Sequence, residues 1–239
     1  MSLDEPQRTA ITIAIADDHA VVRSGLRMLL EAEEDFEVVA EASEVGAARR
    51  AVLAYKPDVL LLDLNMPGEE SLPAIPELRI LQLDAHPDLR EEFLGERYNY
   101  ASAMARVMDV VAPERVYQVG MRTGAREEYR RKTPHLYPAH AVHPVEAVRS
   151  LLPELRRHPL YVTIDVDVLD PSEAPGTGAP EPCGLTASEL IAIIRLLGPC
   201  PIVGTDLTEV AQAFDASGRT AITASWILRE AILAWWGAC

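Results

Sequence analysis

Asp84, His86 and Asp88 stand at alternate positions in "LQLDAHPDLR" (81–90), directly after a run of apolar residues. Two carboxylates and an imidazole converge on a divalent cation if the strand ends at Asp84 and the chain curls over its carboxyl end. A second acidic pair, Asp165 and Asp167, closes the apolar run "LYVTIDVD" (160–167). Oxygen donors with one imidazole suit Mn²⁺ better than the thiolate-rich sets that favour zinc. A lone D-x-H or D-x-D would be weak evidence. Two such motifs, each ending its own apolar strand, favour metal binding over a solvated acidic loop. Two close divalent ions lower the pKa of a shared water enough to give hydroxide near neutral pH, so metal-assisted hydrolysis is the chemistry in view. A separate acidic set, Asp17 and Asp18 after "ITIAIA" (11–16) and Asp63 after "VLLL" (59–62), suits a hard cation such as Mg²⁺.

Strands must carry these residues. The runs 11–16, 36–42, 58–63, 78–84, 115–120, 160–167 and 201–207 are apolar at almost every position, which implies burial on both faces. Helical patterns fall between them at 19–33, 44–55, 101–112, 186–197 and 218–236. The expected class is α/β: three layers, α-β-α, around one mostly parallel sheet. Such sheets keep their ligands at the carboxyl ends of the strands, where the acidic motifs stand. The segment "DPSEAPGTGAPEPCGL" (170–185) is expected to be an ordered loop, and Trp235 and Trp236 to close a core or an oligomer face. His135, His140 and His143 in "PHLYPAHAVHP" lack nearby acids or cysteines and read as a surface loop. "PGTGAP" lacks the lysine and helix context of a phosphate-binding loop.

The net charge of −15 argues against nucleic acid and anionic membrane as partners and suits a cationic substrate or metal ions. No apolar run approaches about 18 residues, so no membrane span is expected, and "MSLDEPQRT" does not read as a signal peptide. Three scattered cysteines, Cys183, Cys200 and Cys239, form no disulfide or zinc pattern, which makes a reducing cytoplasm the expected location.

Residues 10–68 resemble the first half of a response-regulator receiver domain, through "IADDHAVVRSGLRMLL" and "PDVLLLDLNMPG". The resemblance implies a flavodoxin-like β-α-β-α-β wing in strand order 2-1-3. It also implies Mg²⁺ held by Asp17 and Asp18, and phosphoryl acceptance by Asp63. A receiver needs later strands ending in Thr or Ser and in Lys; neither follows, which speaks against phosphotransfer. From about residue 69 the chain resembles the carboxyl two thirds of a ureohydrolase, the arginase/agmatinase family, through "LDAHPDLREEFLG", "YVTIDVDVLDPSEAPGTG", "VGTDLTEV" and "DASGRTA". That family splits guanidino compounds to urea and an amine with a hydroxide bridging two Mn²⁺ ions. By position, Asp84, His86, Asp88, Asp165 and Asp167 match metal ligands, Asp84 and Asp165 the bridging ones. Glu209 matches the carboxylate that pairs with the guanidinium, and Asp170 a structural position. Arg122, in "VGMRTGAREEYR", is expected to pair with acids inside the fold or across subunits. The family also implies a homo-oligomer.

The departures gather at the site. Glu70 stands in "PGEES" where the resemblance implies a further metal-binding histidine. Tyr100 stands where it implies a proton-shuttling histidine, and Ala179 where it implies a threonine. Tyrosine, with an ordinary pKa near about 10, is a poor shuttle at neutral pH. Asp63 and Glu70 stand as candidates to supply an oxygen to the damaged ion position. These features lead us to expect Mn²⁺ binding, one or two ions per chain, without efficient hydrolysis. The two resemblances meet near residues 66–72 with no linker. One composite domain with a continuous sheet (10–68 continued by 69–239) is expected, similar to an engineered chimera. A phospho-acceptor module and an inactive scaffold are the competing expectations.

Overall fold

The structure, a computed structural model, describes residues 10–62, 77–131 and 133–237. Short apolar runs become strands and the amphipathic stretches between them become helices. The first sheet is built from β1 (Ile11–Ala16), β2 (Phe36–Ala42) and β3 (Val59–Leu62), in the order β2-β1-β3 and parallel throughout. That order is the one expected. The central strand β1 buries Ile13, Ala14, Ile15 and Ala16, whereas β2 buries Phe36 and Val38 and exposes Glu37 between them. Helices α1 (Ala20–Glu31) and α2 (Val45–Tyr55) make the crossovers that parallel pairing requires.

The second sheet contains β4 (Arg79–Leu83), β5 (Val116–Val119), β6 (His135–Tyr137), β7 (Leu160–Asp165) and β8 (Ile202–Thr208), all parallel, in the order β6-β5-β4-β7-β8. Its helices are α3 (Ala103–Val107), α4 (Arg126–Arg130), α5 (Pro144–Leu155), α6 (Ala187–Leu197) and α7 (Arg219–Trp236). Leu81, Leu83, Val162 and Ile164 from the central strands pack with Val148 and Leu151 of α5 and Ile193 and Ile194 of α6 in one core. Truncating a buried Leu or Ile in such a core to Ala costs about 2–5 kcal/mol. Trp235 closes it, its indole N–H donating to the Ile194 carbonyl at 2.9 Å.

The α/β class and the parallel pairing are as expected. The described strands pair as two sheets, β3 being four residues long with its ladder to β1, and the chain divides into two compact units, the larger being Ile75–Trp235. Three points differ from expectation. The expected loop at 134–144 contains the edge strand β6, whose His135 ring stacks on Tyr117 at 4.4 Å. Proline flanks β6 on both sides, and an edge strand tolerates that because it donates to one neighbour only. Helix α5 was hidden by its two prolines; Pro144 sits at the helix start, where a missing N–H costs nothing. The helix expected over 101–112 shortens to α3 behind a single 3-10 turn. No helix among the described residues is long and apolar enough to cross a membrane.

Candidate metal centre

Strand β4 lies between β5 and β7, with Leu83 in register with Ile164. The next residue on each strand is therefore an aspartate, Asp84 beside Asp165, at the carboxyl edge of the sheet. A 3-10 turn, Val166–Val168, follows β7, started by Asp165, whose Oδ1 accepts the Asp167 N–H at 2.8 Å. That turn swings Asp167 back over the end of β4. Its Oδ1 accepts the Ala85 N–H at 3.0 Å and its Oδ2 lies 2.9 Å from His86 Nδ1. His86 Nδ1 also lies 3.7 Å from Asp84 Oδ1. Asp84, His86 and Asp167 thereby offer ligand atoms within 4.8 Å of one another, and Asp84 and Asp167 are buried. Gly120, at φ +103°, ends β5 beside them; a Cβ there would stand 2.9 Å from the Asp84 carbonyl oxygen.

Electrostatics match this crowding. Burial and the neighbouring Asp84 charge push Asp88 up to about 9, and burial and Asp84 likewise push Asp165 up to about 10. Burial lifts Asp84 to about 6, against hydrogen bonds that favour its charged form. Burial acts on Asp167 in the same sense but is outweighed by hydrogen bonds from His86 and the Ala85 N–H, which hold it below the usual range. His86 rises to about 11 through its hydrogen bond to Asp167 and then Asp84. Buried carboxylates raised by one another form an array that positive charge stabilises, and oxygen donors with one imidazole fit Mn²⁺.

Asp88 adopts a left-handed backbone (φ +54°), its carbonyl accepting the Ala105 N–H at 3.0 Å. Asp88 and Asp165 share the field of this cluster without joining its tight group of three. Glu209, exposed just past β8 at φ +64°, adds its charge to Asp165, and its Oε2 would lie 3.2 Å from a Cβ on Gly178. Tyr100 sits exposed on a 3-10 turn, edge-on to Phe93 at 5.6 Å, and Ala179 is exposed. Asp170 caps its own loop, accepting the N–H groups of Ser172 and Cys183 at 2.9 Å each. Within this chain, the Arg122 guanidinium donates to the main-chain carbonyls of Asp167 (2.7 Å), Glu181 (3.0 Å) and Val168 (3.1 Å) where acids inside the fold were one expectation. The Val168 carbonyl also accepts the Leu185 N–H at 3.0 Å, and the planar guanidinium fork reaches several carbonyl acceptors at once.

At the end of β1, Asp17 is buried, Asp18 and His19 are exposed, and His19 Nδ1 lies 2.7 Å from Asp18 Oδ1. Asp63 and Glu70 lie outside the described residues. His140 and His143 are exposed, and His143 Nε2 lies 3.2 Å from Glu189 Oε1. Sequence reasoning missed Glu181, whose Oε1 is 3.7 Å from His86 Nε2, and buried Glu128, which accepts the Leu89 N–H at 3.0 Å. It also missed Gln82 and Gln118, although an amide inside an apolar strand signals a buried partner.

The Arginase family matches residues 70–234, and the response regulator receiver domain matches residues 13–87. Agmatinase from Bacillus cereus is 42% identical over 162 residues, covering 67% of this chain and 56% of that relative. Agmatinase from Halalkalibacterium halodurans is 38% identical over 194 residues, covering 74% of this chain and 67% of that relative. The chain thus spans little more than half the length of the first of these relatives. In fold, the structure of proclavaminate amidino hydrolase from Streptomyces clavuligerus is similar with a TM-score of 0.72, at 24% identity over 97% of this chain and 94% of that one. Agmatine ureohydrolase of Thermoplasma volcanium gives 0.68 at 22% identity, over 97% and 92%. The chain belongs to the arginase family, and its amino-terminal part matches the receiver domain.

Proposed function

We propose that this chain binds Mn²⁺ through Asp84, His86, Asp88, Asp165 and Asp167 and acts, slowly at most, on a guanidino compound such as agmatine or arginine. The carrying observation is the convergence of Asp84, His86 and Asp167 on one point, with Asp88 and Asp165 raised by burial and by the Asp84 charge beside them. When bound, Mn²⁺ supplies Lewis acidity that makes water nucleophilic near neutral pH. The chain's own residues bind and orient. Glu209 offers an exposed carboxylate to a guanidinium, a pairing suited to its two-oxygen fork, and the net charge of −15 favours a cationic substrate. Turnover is impaired in this reading because Tyr100 replaces an imidazole proton carrier, Ala179 has no hydroxyl, and Glu70 adds negative charge instead of a neutral ligand. The join of a receiver segment to a ureohydrolase segment supports a chimeric origin.

Urea release from agmatine and arginine, measured with Mn²⁺ added, tests this. The expected result is retained Mn²⁺ with urea release near background, and a rise of about a hundredfold in Tyr100→His, the lower end of what a positioned acid–base group contributes. Failure to retain Mn²⁺ contradicts the binding claim; turnover on the order of 10 s⁻¹ contradicts the impairment.

A further inference from the structure

Asp84 is held from behind by a directional chain of buried amides. The Gln118 amide nitrogen lies 2.7 Å from the Pro87 carbonyl oxygen, which can only accept, so its NH₂ end faces Pro87. Gln118 Oε1 accordingly accepts the Thr133 hydroxyl at 2.9 Å. The Gln118 NH₂ also reaches Gln82 Oε1 at 2.7 Å. This orients the Gln82 NH₂ toward Asp84 Oδ2, at 2.6 Å, and the His86 carbonyl oxygen, at 3.2 Å. Thr133, Gln118, Gln82 and Asp84 are all buried. Amides are costly inside apolar strands unless paired, and here the line of donors from Thr133 through Gln118 and Gln82 runs one way and ends on Asp84, with side branches to the Pro87 and His86 carbonyls.

We infer that Gln82 is a positioning residue for the metal centre, and that Gln118 and Thr133 fix the direction in which it donates. The inference rests on the metal-binding reading above and adds the residue that aims Asp84. With Oδ2 taken by Gln82 and Oδ1 accepting the His86 N–H at 2.6 Å, both oxygens of the carboxylate are oriented. Without the Gln82 donor, Oδ2 loses its hydrogen bond from the described residues in a buried setting. The carboxylate torsion is intrinsically soft, so it turns and the bond to the His86 N–H loosens.

The test uses the full chain with Gln82→Met, which keeps length and burial but removes the donor, and Thr133→Val at the far end. Mn²⁺ affinity is read by calorimetry, and exchange of the His86 amide hydrogen is read in the metal-free chain. Gln82→Met is expected to weaken Mn²⁺ binding by about 10- to 100-fold, the range for partners that orient a ligand. It is also expected to speed His86 exchange, with Thr133→Val shifting both readouts less in the same direction and the exchange of β7 amides unchanged. Unchanged affinity and unchanged His86 exchange overturn the inference. If the unaltered chain takes up no Mn²⁺, the metal reading fails by itself, and His86 exchange alone decides the role of Gln82. If Gln82→Met does not fold, Thr133→Val decides.

Discussion

Two acidic clusters in this chain begin identically. Asp17 and Asp84 each follow a parallel strand directly, and each accepts the N–H of a histidine two residues on, at 2.7 Å for His19 and 2.6 Å for His86. They then diverge. Asp17 is joined by its sequence neighbours Asp18 and His19, both exposed. Asp84 and His86 are joined by Asp167, delivered from β7 more than 80 residues later, and by donors from Gln82 behind. Exposed Asp18 and His19 lie where solvent screens charge, while Asp84 and Asp167 are buried, where each charge acts strongly on its neighbours. A short acidic motif therefore acquires its chemistry from what the sheet places beside it.

The largest effect should come from removing ligands. Partners that only orient ligands are worth about 10–100-fold, so Asp84→Asn or Asp167→Asn should weaken Mn²⁺ binding by more than that. Asp17→Asn should leave it unchanged. Equal losses in the two clusters, measured by calorimetry, would erase the contrast.

A smaller effect concerns pH. Asp88, Asp165 and His86 have folded values near 9, 10 and 11, all above their ordinary ones. Through these groups the folded, metal-free chain binds more protons than the unfolded chain between about pH 4 and 11, and its stability falls as pH rises through that window. Mn²⁺ displaces those protons, so its stabilising effect grows over the same range. Melting midpoints at pH 6, 7.5 and 9, with and without Mn²⁺, should diverge; parallel curves would count against a buried, proton-holding site.

The smallest effect separates the helices. In α6, Thr186 and Glu189 form a reciprocal capping box, whereas α1 and α2 begin at His19 and Glu44 with no side-chain cap. Thr186→Ala should cost about 1 kcal/mol in urea unfolding, and Glu44→Ala distinctly less.

Much of this was legible because short apolar runs leave a plain mark: "ITIAIA", buried almost throughout, and "FEVVAEA", with Glu37 and Glu41 exposed, are β1 and β2 residue for residue. The acidic ends of β4 and β7 were equally readable. Four things were not. The three residues of β6 are recognisable as a strand only through their pairing with β5. Helix α5 carries Pro153 inside it, which disguises its apolar spacing. Arg122 reads as a partner for acids because its charge is visible in sequence, while the carbonyls it donates to are brought together only after the chain turns at Val166–Val168. The amide chain behind Asp84 depends in the same way on β4 and β5 being neighbours.

The central claim is that Asp84, His86 and Asp167 form a cation site. The most direct measurement is elemental analysis after Mn²⁺ loading and desalting, on the unaltered chain and on Asp167→Asn. We predict one or two Mn²⁺ ions per chain in the first and none in the second. No retained Mn²⁺ in the unaltered chain, or equal retention in both, would contradict it.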